Sequence, residues 1–314
     1  ATLFCDPSEY QFIPAILGIA HPPGYAFYTL LAKLWQTLVP VSSIAFRTNL
    51  LAAAVGAWAV TAVYLTVSDL TSSPCALRLT PHVSRLTFHA SRFTFHASRF
   101  TPHVSRFTPH VSRSAPPLLA AASLAVAADF WQHSIHANAH IVSVALTTTH
   151  LWLLVRWWRT ANDRWLAAFA FTLGLAPTHH PITLMGIPAY ILFILIVRPR
   201  ILRQWRTLLL VGCFLLGLTP FLYYPLRLFH LPYGFGPAPD WASLWRHVTA
   251  QGLRVNLFHF SLADQPDRAW VFWSLLRLQF PLLVIALGCV GLVWLARLAP
   301  RPALLICVFL LGHL

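Results

Sequence analysis

Acidic side chains are scarce in this chain of 314 residues, which carries eight aspartates and glutamates against 22 lysines and arginines. Charged residues make up 10% of the sequence, whereas soluble domains are about a quarter charged. Hydrophobic residues make up 57%, and the mean hydropathy is +0.64. This balance excludes an ordinary soluble domain and predicts an all-α, polytopic transmembrane protein.

Several features that other classes of protein need are also missing. The sequence has no glycine-rich phosphate loop and no Asp-x-Asp pair, so we expect no soluble nucleotide-sugar site and no cofactor. Its five cysteines form no CxxC pair, and three of them lie in apolar segments, which favours unpaired thiols over disulfides or a metal site. The formal net charge of +14 gathers between apolar segments. We therefore predict no metal and no nucleic-acid partner.

Apolar segments that could cross a bilayer recur along the chain, since a span needs about 17–25 residues. An apolar stretch at 12–39 is interrupted by Pro22 and Pro23, and we expect an interfacial helix followed by a second helix there. The chain has no hydrophobic span before Asp6 and ends in a short apolar run, so we expect a fragment of a longer protein. The candidate spans are 44–67, 117–131, 138–155, 165–178, 183–197, 207–224, 279–296 and 302–314.

Arginines gather in short loops at 156–164, 198–206 and 297–301. By the positive-inside rule these loops are cytoplasmic. The acidic N-terminal stretch and the loop 224–270 then face outward. This pattern predicts a multi-pass membrane protein with its acidic N-terminal stretch on the outer face.

A tandem repeat of five seven-residue units runs from 79 to 113, beginning LTPHVSR and ending FTPHVSR. Its prolines and its few apolar positions argue against a coiled coil. We predict a disordered cytoplasmic insert, with a binding role for its five histidines as the alternative. The chain then divides into an acidic loop with a first span (1–78), the insert (79–113) and a multi-span region (114–314).

The stretch DPSEYQFIPAILGIAHPPGY contains Asp6 and Glu9, the only glutamate of the chain. One interpretation is a capping box, with Asp6 as N-cap and Glu9 as its partner three residues later. The other is a catalytic pair. Positions i and i+3 share one helix face, and neighbouring carboxylates can raise the pKa of one of them enough for general-base work. The two interpretations are compatible.

The same stretch, extended to LLAKLW, resembles a bacterial membrane family of unknown function that is related to the animal transmembrane protein O-mannosyltransferases, in the GT-C glycosyltransferase class. The resemblance continues in FRTNLLAAAVGA, FWQHSIHANAH, LGLAPTHHPITLMGIPAY and YYPLR. It implies transfer of a sugar, such as mannose, from a polyprenyl-phosphate donor to a hydroxyl acceptor, such as a protein serine or threonine. It also implies that Asp6 is the base, that Glu9 is the second carboxylate and that His21 belongs to the outer-loop motif that follows. It further implies a bacterial cytoplasmic membrane, with the active face outward.

Other polar residues are candidates on chemical grounds. A leaving phosphate needs cations or donors, for which the sequence offers Arg227, His180 and Arg47; the alternative is arginines that snorkel to the interface. His179, Asn138 and Tyr25 are candidates for substrate binding. The alternatives are a polar turn at 179–180 and, for the alternating His136, Asn138 and His140, hydrogen bonds between helices.

The predicted outer loop carries Trp241, Trp245 and Phe258 among basic residues. An amphipathic helix on the outer leaflet would use that mixture, either to guide a lipid donor or as a structural belt. Two other functions stay open on the sequence. One is a transporter or lipid-handling membrane protein without catalysis, which would predict internal repeats of the spans. The other is an inactive enzyme fragment.

Overall fold

The computed structural model describes residues 6–72, 104–231, 236–252 and 260–312, and for 104–113 only the backbone. Within these ranges the protein is all-helical, without a β-strand, as the composition predicts. The α-helices are α1 (Asp6–Ile16), α2 (Ala26–Leu38), α3 (Ile44–Thr71), α4 (Val104–Ala125), α5 (Ala128–Ile135), α6 (His140–Thr160), α7 (Asp163–His179), α8 (Ile187–Val197), α9 (Arg206–Gly217), α10 (Tyr223–Arg227), α11 (Trp241–Val248), α12 (Gln265–Gln279), α13 (Leu282–Leu298) and α14 (Pro300–Leu311).

Two helical segments of the described chain are long and apolar enough to cross a membrane. Helix α3 has 28 residues and a mean hydropathy of 1.9, and Ser43 caps it by accepting a hydrogen bond from the Phe46 amide. The second segment, Arg206–His230, runs through α9 and α10 with a mean hydropathy of 1.8. Helical segments lie at the other predicted spans, but only two bent pairs could add a span each.

The heptapeptide repeat is only partly within the described residues. Its first 25 residues, 79–103, lie outside them, so the predicted disorder stays a prediction there. Residues 104–113 belong to the backbone of α4, which corrects the prediction that the whole repeat lacks regular structure. Proline removes one helical hydrogen bond and bends a helix, but a helix that continues into an apolar segment can tolerate it.

Helices α7 and α9 approach each other closely through two glycines. A Cβ on Gly174 would lie 2.1 Å from the Phe214 carbonyl oxygen, and one on Gly217 would lie 2.2 Å from that of Phe171. Small residues permit such contact between helices in membranes. The contact ties the Arg206–His230 segment to α7.

Helices α3 and α6 are joined by a buried carboxylate. Asp69, 3% exposed, accepts hydrogen bonds from Arg156 (2.6 Å) and from Arg159. The sequence assigns both arginines to a loop, whereas they lie in the last turns of α6. Part of the positive charge at this end of the helices is therefore matched by Asp69.

The segment predicted as an outer loop, 224–270, contains helices within its described residues, including one at the predicted amphipathic stretch. It contains α10, the amphipathic helix α11 and the first residues of α12. A capping box of Ser261 and Asp264 begins the turn before α12, and Pro266 lies in its first turn. These are strong helix-start signals. They place α12 ahead of the apolar run at 279–296, which is a candidate span by its hydropathy.

Candidate functional site

The site begins where α1 meets the loop 17–25. A carboxylate oxygen of Asp6, one of Glu9 and a ring nitrogen of His21 all lie within 4.8 Å of one another. Asp6 is exposed, and Glu9 and His21 are half-buried. The structure thus brings together the three residues that the resemblance implies for catalysis, although twelve residues separate Glu9 from His21.

Glu9 is bonded to His21 through both of its carboxylate oxygens. The Oε2 atom lies 2.6 Å from His21 Nδ1, and Oε1 accepts the backbone N–H of His21 at 2.7 Å. The described hydrogen bonds of the Glu9 side chain therefore run forward to the loop, and the capping box stays a prediction. Asp6 lies in the first described turn of α1, and its predicted role as N-cap stays a prediction.

The pair perturbs the proton affinity of both groups. Partial burial raises the pKa of Glu9, but the hydrogen bonds from His21 outweigh it, so that pKa lies below its ordinary value. The hydrogen bond from Glu9 raises the pKa of His21 against the opposing effect of burial. An ionised carboxylate beside a protonated imidazole is the state that this geometry favours.

Side chains from α10 hold the loop that carries His21. The Tyr224 hydroxyl donates to the Pro23 carbonyl at 2.9 Å and accepts the Ala26 amide at 3.2 Å. Tyr223 donates to the Gly18 carbonyl at 2.7 Å. Both tyrosines are buried. The YYPLR motif is therefore a brace for the loop, about 200 residues away along the sequence.

Two cationic side chains add hydrogen bonds to this brace. The Arg227 guanidinium donates to the Leu17 carbonyl through Nε at 2.9 Å, and Lys33 donates to the Ala15 carbonyl at 2.7 Å. These carbonyls end α1, where a positive charge is favourable. The structure gives Arg227 this positioning contact, and its predicted role in phosphate binding stays a prediction.

Close approach explains the glycine of HPPGY. Gly24 has φ +94°, and a Cβ there would lie 2.8 Å from the Tyr224 hydroxyl oxygen. The Gly24 amide donates to the His21 carbonyl at 2.8 Å, which closes a turn. Only glycine fits this conformation beside the brace.

A row of aromatic rings connects His21 to two other motifs. Ring centroids are 5.3 Å apart for His21 and Tyr25, and 5.5 Å for Tyr25 and His180. The row continues at 5.8 Å to His140 and at 6.2 Å to His133. HPPGY, THH and HANAH therefore meet in one place. Tyr25 is buried, so it packs beneath the site, whereas His140 is exposed.

The remaining candidates have structural contacts. His179 is fully buried and bonds the Ala139 carbonyl through Nε2 at 2.8 Å. Asn138 accepts the His140 amide at 2.7 Å, which begins α6. Arg47 donates to three backbone carbonyls, those of Gln36, Val41 and Ser42. These three side chains position backbone groups, and their predicted ligand contacts stay predictions.

The His180 side chain is partly exposed toward the site, but it is uncharged. Its Nδ1 accepts the Ile182 amide at 3.1 Å. Burial, together with the neighbouring His140 and His21, lowers the pKa of His180 to about 4. His180 is therefore neutral near pH 7 and can act on a ligand only by donating from Nε2.

The sequence reasoning missed Arg246 and His247 as site residues and treated them as part of an interfacial helix. His247 in α11 bonds the Ala20 carbonyl through Nε2 at 2.7 Å. Arg246 and His247 line a cavity of about 410 Å³ together with Pro22. The amphipathic pattern with basic residues is the signal that could have found them, because the apolar face of such a helix packs against the rest of the protein. Trp245 lies on the other face and is 68% exposed.

The same three side chains are also arranged as potential ligands of a metal ion. Asp6, Glu9 and His21 each offer one ligand atom at a spacing that a cation could bridge. Both oxygens of Glu9 already accept hydrogen bonds from His21, so the arrangement favours a hydrogen-bonded acid–histidine pair. The expectation of a metal-free site stays a prediction.

The helices and this polar site define an all-helical membrane protein whose site lies where several helices begin and end. The chain belongs to the family of the Protein O-mannosyl-transferase TMEM260 N-terminal domain, whose family model matches residues 6–202. A 57-residue segment is 51% identical to the Protein O-mannosyl-transferase TMEM260 of Mus musculus. That segment covers 18% of this chain and 8% of the mouse protein. No solved structure matches the chain.

These comparisons confirm the relation to animal O-mannosyltransferases that the motifs indicate. The bacterial family and the bacterial membrane stay predictions. The matched region contains the acidic pair, His21 and His180, whereas Arg227 and Arg246 lie beyond it.

Proposed function

We propose that this protein takes part in O-mannosylation by transferring a mannosyl group from a polyprenyl-phosphate donor to a serine or threonine hydroxyl of a protein, at the outer face of the membrane. The observation that carries the proposal is the convergence of Asp6, Glu9 and His21 within 4.8 Å, at the start of a matched O-mannosyl-transferase domain.

The reaction needs a base. The acceptor hydroxyl oxygen attacks the anomeric carbon of mannose, the bond from that carbon to the phosphate oxygen breaks, and polyprenyl phosphate leaves with the bonding electrons. The hydroxyl proton passes to a carboxylate. Asp6 is our candidate, because it is exposed and adjacent to the pair. General-base catalysis of this kind typically contributes about 10²–10⁴-fold.

Glu9 and His21 have a supporting role in this proposal. Both oxygens of Glu9 are occupied by His21, which makes Glu9 a weaker candidate for the base than Asp6. The imidazole is hydrogen-bonded to Glu9 beside Asp6, and it orients the acceptor.

The leaving phosphate needs a different partner from those that the sequence suggests. Arg227 and Arg47 donate to backbone carbonyls, and His180 is neutral. Arg246 is the better candidate. Its described side-chain contact is with Ser243 Oγ at 2.9 Å, one turn earlier on α11, and it lines the cavity beside Pro22. A guanidinium there matches phosphate oxygens in pairs.

Transfer from a polyprenyl-phosphate mannose to a threonine-containing peptide, in membranes that contain the protein, tests the proposal. Asp6→Asn should lower the rate by about 10²–10⁴-fold, with the amount of folded protein unchanged, because asparagine suits a helix start as well as aspartate. Asp267→Asn, in the first turn of α12, is the matched control and should keep full activity. Near-normal transfer by Asp6→Asn would contradict the role of Asp6. A protein that binds the donor without transferring sugar would favour the lipid-handling alternative.

A further inference from the structure

A second cavity lies at the opposite ends of the same helices. Its volume is about 440 Å³, and it is bounded by the start of α7, the end of α8 and the start of α9. Helix α7 runs 17 residues from Asp163 at this cavity to His179 at the first site. At 1.5 Å per residue the two places are separated by about 25 Å.

The cavity is rich in arginine. Arg164, Arg198 and Arg206 line it together with one carboxylate, Asp163. Asp163 accepts from Arg198 at 2.7 Å and from Arg206 at 2.8 Å, each through a single Nη1 atom. Three guanidinium groups and one carboxylate leave a net charge of +2. Since a guanidinium has five N–H donors, Arg198 and Arg206 keep donors for another anion.

The other wall of the cavity is apolar and continues along a membrane segment. Leu209 and Leu210 of α9 line it, and Leu209 is half exposed. Arg206 begins the Arg206–His230 segment, which is long and apolar enough to cross a membrane. Trp205, the residue before it, is 74% exposed, and tryptophan is enriched at membrane interfaces. The cavity therefore lies where headgroups meet acyl chains.

We propose that this cavity binds the headgroup of an anionic phospholipid, with the phosphate on Arg198 and Arg206 and an acyl chain along Leu209. Basic pockets between transmembrane helices bind anionic headgroups in this way. The charge selects an anionic lipid over a zwitterionic one, and the apolar wall selects a lipid over free phosphate. The first site takes no part in this binding.

Lipid binding to the purified chain in detergent, measured by native mass spectrometry, tests the proposal. The probes are phosphatidylglycerol, phosphatidylcholine of the same acyl length, and inorganic phosphate as a competitor. We expect phosphatidylglycerol to bind more tightly than phosphatidylcholine. Arg198→Gln with Arg206→Gln should weaken phosphatidylglycerol binding by about 30-fold, since each arginine near an anionic lipid contributes to affinity.

Two controls separate this role from a purely structural one. Arg297→Gln with Arg301→Gln removes the same charge outside the cavity and should leave binding unchanged. Asp163→Asn breaks the same ion pairs but removes the competing carboxylate, so it should strengthen binding. If Asp163→Asn loses lipid as the double arginine variant does, the residues only hold the fold and the proposal is wrong. Equal binding of phosphatidylcholine, full displacement by inorganic phosphate, or unchanged binding by the double variant would each overturn it.

Discussion

At the scale of single residues, the most informative one is Glu9. A chain with one glutamate places it against His21, with both oxygens bonded to the same residue. The backbone N–H bond fixes the start of HPPGY, and the ring bond fixes the imidazole. Glu9 therefore organises the site, whereas Asp6, which is more exposed, stays accessible to an acceptor.

The titration of His21 tests this arrangement. Because the Glu9 hydrogen bond is the main cause of the raised pKa of His21, Glu9→Gln should lower that pKa toward or below its ordinary value of 6.5. NMR of histidine-labelled protein, with the signal assigned by His21→Gln, measures it. Asp129→Asn is a control that should leave the His21 titration unchanged. An unchanged pKa in Glu9→Gln would show that the pair does not form in solution.

The same pair makes the stability of the loop depend on pH. The raised pKa of His21 contributes stability below 6.5 that is lost as the pH rises through the raised value. The lowered pKa of Glu9 contributes stability above 4.5 that is lost as the pH falls through the lowered value. The pair is therefore strongest between about pH 4.5 and pH 6.5. Protection of the loop amides from hydrogen exchange should be greatest in that window.

At the scale of elements, the loop 17–25 depends on α10 and α11. Tyr223, Tyr224 and Arg227 bond its carbonyls from one side, and His247 bonds it from another. An irregular segment has polar backbone groups without helical partners, and burial requires a partner for each. The brace supplies those partners and thereby positions His21.

Removal of one hydroxyl should weaken this brace. Tyr224→Phe leaves the Pro23 carbonyl and the Ala26 amide without their buried partner, at a cost of about 1–3 kcal/mol in unfolding free energy. Thermal unfolding in detergent measures the change. Tyr64→Phe removes a tyrosine hydroxyl from α3, outside the brace, and should cost less than about 0.5 kcal/mol. Equal effects of the two substitutions would show that the brace contributes little.

A methyl group at Gly24 should also disturb the loop. Gly24→Ala introduces a Cβ 2.8 Å from the Tyr224 hydroxyl oxygen at a φ of +94°. We expect about 1–3 kcal/mol of destabilisation from backbone strain alone, together with loss of activity, because His21 lies three residues away. Gly212→Ala, where the added Cβ meets nothing within 4 Å, should be neutral or stabilising. A neutral Gly24→Ala would mean that the loop relaxes without moving its contacts.

At the scale of the whole molecule, the two ends of the helices carry different polar residues. One end contains Asp6, Glu9, His21 and His180. The other end contains Asp69, Asp163 and the arginine-rich turns. The sequence assigns the first end to the outer face and the second to the cytoplasm by the distribution of arginine. Helices α6 and α7 connect the two ends.

Cysteine labelling tests this orientation. In a background with the five native cysteines replaced by serine, Gln251→Cys should react with a membrane-impermeant maleimide in intact cells. Arg203→Cys, in the arginine-rich turn before α9, should react only after permeabilisation. Labelling of Arg203→Cys in intact cells, with Gln251→Cys protected, would reverse the predicted topology.

The sequence by itself determined the class of protein, and it predicted the acidic residues of the candidate site. Low charge and long apolar runs predict a helical membrane protein, because an apolar helix satisfies its own backbone polar groups in lipid. The tertiary structure decided which polar residues face the site and which support it. Arg227 and His179 look like ligand groups in the sequence, but each bonds a backbone carbonyl far away along the chain, that of Leu17 and that of Ala139. Such partners depend on how distant segments pack, and spacing along the chain does not contain that information.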